Sequence, residues 1–256
     1  MRPNRIKRLL KEGKPAFGCF LNIPSIASAE IMAHVGWDWL VVDTEHGAIG
    51  VDTMHDMFIA IGTTDTVPMC RVRENHPAAI KQALDAGAYG VVIPMVNSPE
   101  EAERAVKACK YAPEGNRSAG PGRWRFYGGP DYQKFANDEV LVAIQIEHID
   151  AVNRVEEILS VPGIDLVHMG PGDLAWSMGL GKGLGEKDPA HAEAVAKVVR
   201  AAKKFGVPIG TAARTVQQVP QLLEQGFTFI MVMNDVNFLF NSASEALRYS
   251  KECVNK

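Results

Sequence analysis

Asp43-Thr44-Glu45-His46 follows directly on the apolar run Trp39-Leu40-Val41-Val42. Carboxylates can hold a cation or orient a proton carrier, and an imidazole can move a proton near neutral pH. The arrangement recurs. Leu141–Ile146 runs into Glu147 and His148, and Leu166–Met169 runs through Gly170-Pro171-Gly172 to Asp173. Glu147 and Asp173 stand 26 positions apart, at the ends of what read as consecutive strands. Neighbouring parallel strands lie about 5 Å apart, so two such carboxylates can converge on one hard cation. Water and substrate would complete its shell. Arg71 closes a further apolar run, Val67-Pro68-Met69-Cys70, and a guanidinium among acids either neutralises them or binds an anion. Asp85 sits late in a helix pattern, where an acid opposes the helix dipole; a tertiary partner would explain it. The other histidines read as structural or supporting: His148 as a core or helix-cap contact, His168 as inward packing or a support behind the site, and His34, His55, His76 and His191 as helix or loop residues.

Eight strand patterns must position these groups: Phe17–Asn22, Trp39–Asp43, Val67–Val72, Gly90–Val96, Leu141–Ile146, Leu166–Met169, Pro208–Ala212 and Phe227–Met233. Their continuous apolar character suits strands covered on both faces. Helix patterns lie between and after them: Ser25–Val35, Val51–Ile61, Pro77–Ala86, Pro99–Tyr111, Ala151–Leu159, Ala190–Phe205, Val216–Gln225 and Asn237–Glu252. Ser98-Pro99-Glu100-Glu101 is a cap followed by Pro and early acids, while Gly87, Gly163, Gly206 and Gly226 stand where helices should stop. Eight βα units in 256 residues predict one α/β domain over 1–256, a (β/α)8 TIM barrel. An open doubly wound sheet is the alternative. Two connections are long, 112–139 and 174–189. The first starts from a helix end and is long enough to run beyond the core; the second, Gly-rich one belongs to the carboxyl face.

The net charge of −3 gives no reason to expect nucleic acid or an anionic membrane as partner. No apolar run approaches a membrane span, and the basic start, with Ile6, Leu9 and Leu10 on one side, reads as a short amphipathic helix rather than a signal segment. Four scattered cysteines form no C-x-x-C pair and suit a reducing, cytoplasmic setting. No lysine lies in any predicted strand, which argues against a Schiff-base mechanism. Met178–Gly185 lacks the Ser or Thr after Lys182 that a phosphate loop needs, and there is no G-x-S-x-G elbow.

Several segments, in order, resemble the HpcH/HpaI family of metal-dependent pyruvate aldolases. They are Asp43–Gly47, Arg71, Ile80–Ala88, Ile93–Val96, Arg104–Tyr111 with Pro113, Gly115 and Arg117, Gln145–Glu147, and Gly170–Leu174. The resemblance implies a (β/α)8 barrel, usually hexameric or built from trimers, with the last helix exchanged between subunits. It implies a class II aldolase that cleaves a 2-keto-3-deoxy sugar acid or 4-hydroxy-2-oxo acid to pyruvate and an aldehyde, through pyruvate enolate held at a divalent cation (Mg2+, Mn2+ or Co2+). Oxaloacetate decarboxylation, or a macrophomate-synthase-like addition to another acceptor, uses the same enolate. By the family pattern Glu147 and Asp173 hold the metal, and His46, oriented by Asp85, moves the proton. Arg71 stabilises the enolate oxygen. Backbone N–H groups at Gly172 and Asp173 hold the pyruvate carboxylate, with Gln145 in support. Glu45 is left a supporting role beside them. The departures, Ala175-Trp176, Arg117-Ser118 and the stretch 120–130, fall on the aldehyde half.

Overall fold

The computed structural model describes residues 2–181 and 188–254. The later part of the Met178–Gly185 stretch, Lys182 included, lies outside them. Eight strands, all parallel, close in sequence order into a barrel. They are β1 (Ala16–Leu21), β2 (Trp39–Asp43), β3 (Val67–Arg71), β4 (Gly90–Ile93), β5 (Leu141–Ile146), β6 (Leu166–Met169), β7 (Ile209–Ala213) and β8 (Phe229–Asn234). The (β/α)8 expectation holds, and the open sheet is excluded by the β1–β8 pairing.

Close packing at the barrel axis explains several residue choices. Trp39 stacks on Phe229 with ring centroids 3.9 Å apart, and both are fully buried. Burial of each such ring contributes about 2–3 kcal/mol. Gly18 makes room: a Cβ there would lie 2.1 Å from the Trp39 ring. Helix ends follow local rules. Ser98 caps Pro99–Cys109 through the Glu101 amide, and Gly87 ends Pro77–Ala86 at φ 115°. His76 and His148 cap helices through Nδ1, as a structural reading of them requires. Cys19, Cys70 and Cys109 are buried and unpaired.

The connection over 112–139 corrects its expectation. It forms helices Trp124–Gly128 and Tyr132–Glu139 and packs on its own barrel at the amino ends of the strands. There Trp124 stacks on Tyr132 at 4.8 Å, Tyr89 meets Tyr127 edge-on at 4.8 Å, and Arg2 lies over Tyr127. The helix Arg5–Lys11 buries Ile6 and Leu10 against the same end. No described helix is long and apolar enough to cross a membrane.

Candidate active site at the carboxyl ends of the strands

Strand register brings the first pair together, since Asp43 and Arg71 are Cα partners across β2 and β3. Arg71 donates to Asp43 through Nε at 2.9 Å and Nη2 at 2.6 Å, a two-pronged contact. Asn22 Nδ2 donates to the same carboxylate at 2.6 Å, and the amides of Glu45 and His46 donate to its other oxygen. Burial alone would raise the Asp43 pKa, but Arg71 and these amides carry it below the usual carboxylate range. Asp43 therefore stays ionised and fixes the strand end.

Glu45 lies 3.2 Å from Arg71 Nε and 3.9 Å from His46 Nε2. Its pKa is raised, first by burial and then by the charges of Asp43 and Asp173. His46 itself is well exposed, at 63% of its side-chain area.

Glu147 follows β5 and is only 3% exposed. It accepts from the Met95 amide at 2.8 Å and from Gln145 Nε2 at 2.7 Å. Met95 holds φ 53°, a left-handed conformation unusual for this residue type, in presenting that amide. Gly170 lets Glu147 lie against the β6 end, because a Cβ there would stand 2.5 Å from Glu147 Oε2. Burial pushes the Glu147 pKa up to about 7, with Glu45 and Asp173 adding repulsion.

Asp173 is not itself at a strand end. It occupies the first turn of a short helix, Pro171–Ser177, where it is exposed. Pro after Gly170 starts that helix two residues earlier than the acid. The Gly172 and Asp173 amides have no acceptor among the described residues.

Asp85 holds the late-helix place read for it. It lies near the carboxyl end of Pro77–Ala86, which the topology puts at the amino ends of the strands, opposite His46. It accepts from Arg117 Nη2 at 3.0 Å, and Arg117 in turn donates to Tyr132. Within one chain Asp85 and His46 do not meet.

Two contributors escaped the sequence reading. Asn22 follows β1 with no acid or imidazole to advertise it. Asp235, 3% exposed, accepts from the amides of Asn22 and Ile23 and from Ser28 Oγ, tying β8 to β1. It is another carboxylate at a strand end, and extending the β8 pattern by two residues would have found it.

The mouth thus carries Asp43, Glu45, Glu147 and Asp173 around Arg71. Among the described residues no three Asp, Glu, His or Cys side chains form a complete metal-ligand set. The donors do fit a hard cation held by two carboxylates with open positions. Glu147 and Asp173 repel each other, and a cation between them relieves that repulsion.

Comparison with known proteins decides the lineage. Residues 16–242 match the model of the HpcH/HpaI aldolase/citrate lyase family. The chain belongs to that family. Its HpcH/HpaI relatives include the 2-dehydro-3,6-dideoxy-6-sulfogluconate aldolase of Pseudomonas putida, 36% identical over 93% of this chain and 94% of that one. The 4-hydroxy-2-oxo-heptane-1,7-dioate aldolase of Escherichia coli is 36% identical over 95% and 93%. The hydroxypyruvate/pyruvate aldolase of Roseobacter denitrificans is 33% identical over 93% and 94%. Among solved structures, an HpcH/HpaI family protein from Burkholderia cenocepacia superposes with a TM-score of 0.91 at 33% identity, covering 97% of this chain and 99% of that one. Macrophomate synthase superposes at 0.85 with 30% identity over 96% and 90%. This HpcH/HpaI chain is a carbon–carbon lyase.

Proposed function

We propose that the protein cleaves a 4-hydroxy-2-oxo acid, of the sugar-acid or diacid kind, into a pyruvate-type 2-oxo acid and an aldehyde. The observation that carries this reading is the surplus of carboxylates around one guanidinium, with Glu147 driven to about 7. Such a mouth repels a keto-acid anion unless a cation is present. Glu147 and Asp173 would hold Mg2+, Mn2+ or Co2+. That ion supplies Lewis acidity toward the keto acid, an effect worth several kcal/mol. Arg71, fixed by Asp43, sets positive charge where negative charge develops on the keto oxygen. The free amides of Gly172 and Asp173 receive the substrate carboxylate. Gln145 commits its N–H to Glu147 and holds that ligand in place. His46, exposed at the rim beside Glu45, takes and returns the proton.

Asp85 reaches a His46 only from another copy of the chain, since the two lie at opposite ends of one barrel. The reading therefore calls for a homo-oligomer, a hexamer or a trimer. The helix Asp235–Val254 buries only Asp235 and exposes Leu239, Phe240, Leu247 and Tyr249. Helix Ile26–His34 exposes Ile26 and Ile31. Exchange of the last helix between subunits would cover both faces. The buried thiols suit the reducing cytoplasm.

The test is pyruvate release from 4-hydroxy-2-oxo-heptanedioate and from 2-keto-3-deoxy sugar acids. Release should stop on chelation and return with added divalent ion. Full activity after exhaustive chelation would refute the reading. A second activity, decarboxylation of oxaloacetate, would use the same pyruvate enolate and the same groups. Inert oxaloacetate would eliminate it.

A further inference from the structure

Arg71 has to keep its fork in one place while several carboxylates pull on it. Its Nε and Nη2 edge is spent on Asp43, at 2.9 and 2.6 Å. That leaves Nη1 and the second Nη2 hydrogen for a keto oxygen. Glu45 stands 3.2 Å from the same Nε and competes for it, and Glu147 attracts the guanidinium from further off. A guanidinium that swung to either acid would no longer present its free end. Its placement therefore depends on Asp43 keeping one rotamer.

Two of the donors to Asp43, the amides of Glu45 and His46, belong to its own turn. Among the described residues Asn22 supplies the remaining contact, with Nδ2 2.6 Å from Asp43 Oδ2. Asp43 is ionised and only accepts, so the nitrogen of the Asn22 amide must face it. Asn22 lies two residues after Phe20, whose ring sits under the Arg71 guanidinium at 5.0 Å. Side chains two apart share one face of a strand. The β1 segment thus supports Arg71 twice, through the ring beneath it and through the amide behind its carboxylate.

Asn22 is fixed in turn by Asp235, the first residue of the last helix, Asp235–Val254. The buried Asp235 carboxylate accepts from the amides of Asn22 at 2.8 Å, Ile23 at 3.1 Å and Val236 at 2.9 Å, and from Ser28 Oγ at 3.2 Å. All four donors are neutral, so this charge is kept by hydrogen bonds. The strand before it departs from regular pairing. Gly18 pairs with Met231 but Phe20 with Asn234, a bulge in β8, and Met233 holds φ 60°. Bulges re-aim side chains, and left-handed residues other than glycine gather at functional sites. Closing the barrel requires neither feature.

We propose that Asn22 and Asp235 are positioning residues for the carbon–carbon bond reaction. Asp235 fixes Asn22, Asn22 fixes Asp43, and Asp43 holds Arg71 where the enolate oxygen develops. This rests on the aldolase reading above. The relay runs from the first residue of the last helix to the mouth, and its two outer members act only through Asp43 and Arg71.

The experiment reads enolate stabilisation apart from metal binding. Oxalate has the planar shape and the charge of pyruvate enolate, and its affinity for the Mn2+-loaded protein is the probe. Asn22→Ala should weaken oxalate binding by about tenfold and lower kcat for proton–deuterium exchange at C3 of pyruvate by a similar factor. The KM for pyruvate, and the Mn2+ affinity without oxalate, should stay within about threefold, which a general loosening of the structure would not spare. Asn22→Asp keeps the shape but sets a carboxylate against Asp43, and should cost about a hundredfold in oxalate affinity. Asp235→Asn should cost about three- to tenfold, and nothing further when added to Asn22→Ala, because both act through one contact. Asn22→Asp is read in place of the Ala variant if that one does not fold by circular dichroism, and the Asn22 variants decide alone if Asp235→Asn does not fold. Oxalate affinity and exchange unchanged in a folded Asn22 variant overturn the inference. So do losses that add in the double variant. Metal-dependent exchange in the unmodified protein, matched by the variants, overturns the relay and leaves the aldolase reading standing. Absence of both exchange and oxalate binding in the unmodified protein overturns both.

Discussion

The two ends of this barrel use the same polar residue types to opposite ends. At the amino ends of the strands, opposite charges meet and aromatic rings pack beside them, although Arg117 Nε, Arg123 Nη1, Tyr111 Oη and Trp124 Nε1 are buried without a partner among the described residues. Asp85 meets Arg117, Arg117 meets Tyr132, and Asn4 bridges to the carbonyls of Tyr89 and Glu139. Aromatic rings fill the space between. At the carboxyl ends Asp235 takes backbone amides, but Asp43, Glu45, Glu147 and Asp173 crowd around the one guanidinium of Arg71. Glu45 and Glu147 are held against their own repulsion, and His168 and Gln145 keep unpaired atoms. The amino end, with opposite charges and stacked rings, stabilises the fold. The carboxyl end, with like charges crowded together, stores a demand that a cation and a keto acid can meet.

The contrast breaks most visibly at Glu147. Glu147→Gln should lower turnover by about a thousandfold or more and abolish Mn2+ binding seen by electron paramagnetic resonance. The same change removes a buried, repelled charge, so the metal-free melting temperature at pH 8 should stay level or rise. A fall of several degrees would contradict the idea that Glu147 is kept at the expense of stability.

The next largest effect is on pH. The folded pKa of Glu147, about 7, stands above its ordinary 4.5. The folded state therefore holds a proton that the unfolded state has released. Stability of the metal-free protein is greatest below pH 4.5 as far as this group is concerned, and falls as pH rises toward 7. The difference is on the order of 3 kcal/mol. Urea unfolding at pH 5 and pH 8 should show it, and Glu147→Gln should flatten it.

At the amino end, Tyr132→Phe removes an acceptor from buried Arg117 and should destabilise by about 1–2 kcal/mol, with turnover per folded molecule unchanged. A turnover loss exceeding the loss of folded protein would blur the division between the two ends. The smallest effect is expected at Met95. Met95→Gly relaxes the left-handed backbone and should change stability by about 1 kcal/mol or less, while weakening Mn2+ affinity as the amide that holds Glu147 loosens.

The barrel was legible because most strands are continuous apolar runs and several helices carry a cap or a stop of their own. Glu147, Asp43 and Arg71 were legible for the same reason: each ends or follows such a run. Asp173 was displaced in the reading because a Gly-Pro-Gly step hides the start of a short helix. The intrachain partner of Asp85 was not legible. Arg117 lies 32 positions away in a connection with no periodic pattern, so only the folded chain shows that it turns back under the barrel. The unpaired state of His168 likewise depends on Gly210 and Gln145, neighbours set by register and not by local sequence.

The central claim is that the mouth holds a divalent cation and activates the carbon next to a keto group. Proton–deuterium exchange at C3 of pyruvate or hydroxypyruvate, followed by NMR without any aldehyde, tests it most directly. Exchange should proceed with Mn2+ or Mg2+, cease on exhaustive chelation, and be absent in Glu147→Gln. Exchange that continues at full rate in the chelated protein, or in the variant, would contradict the account.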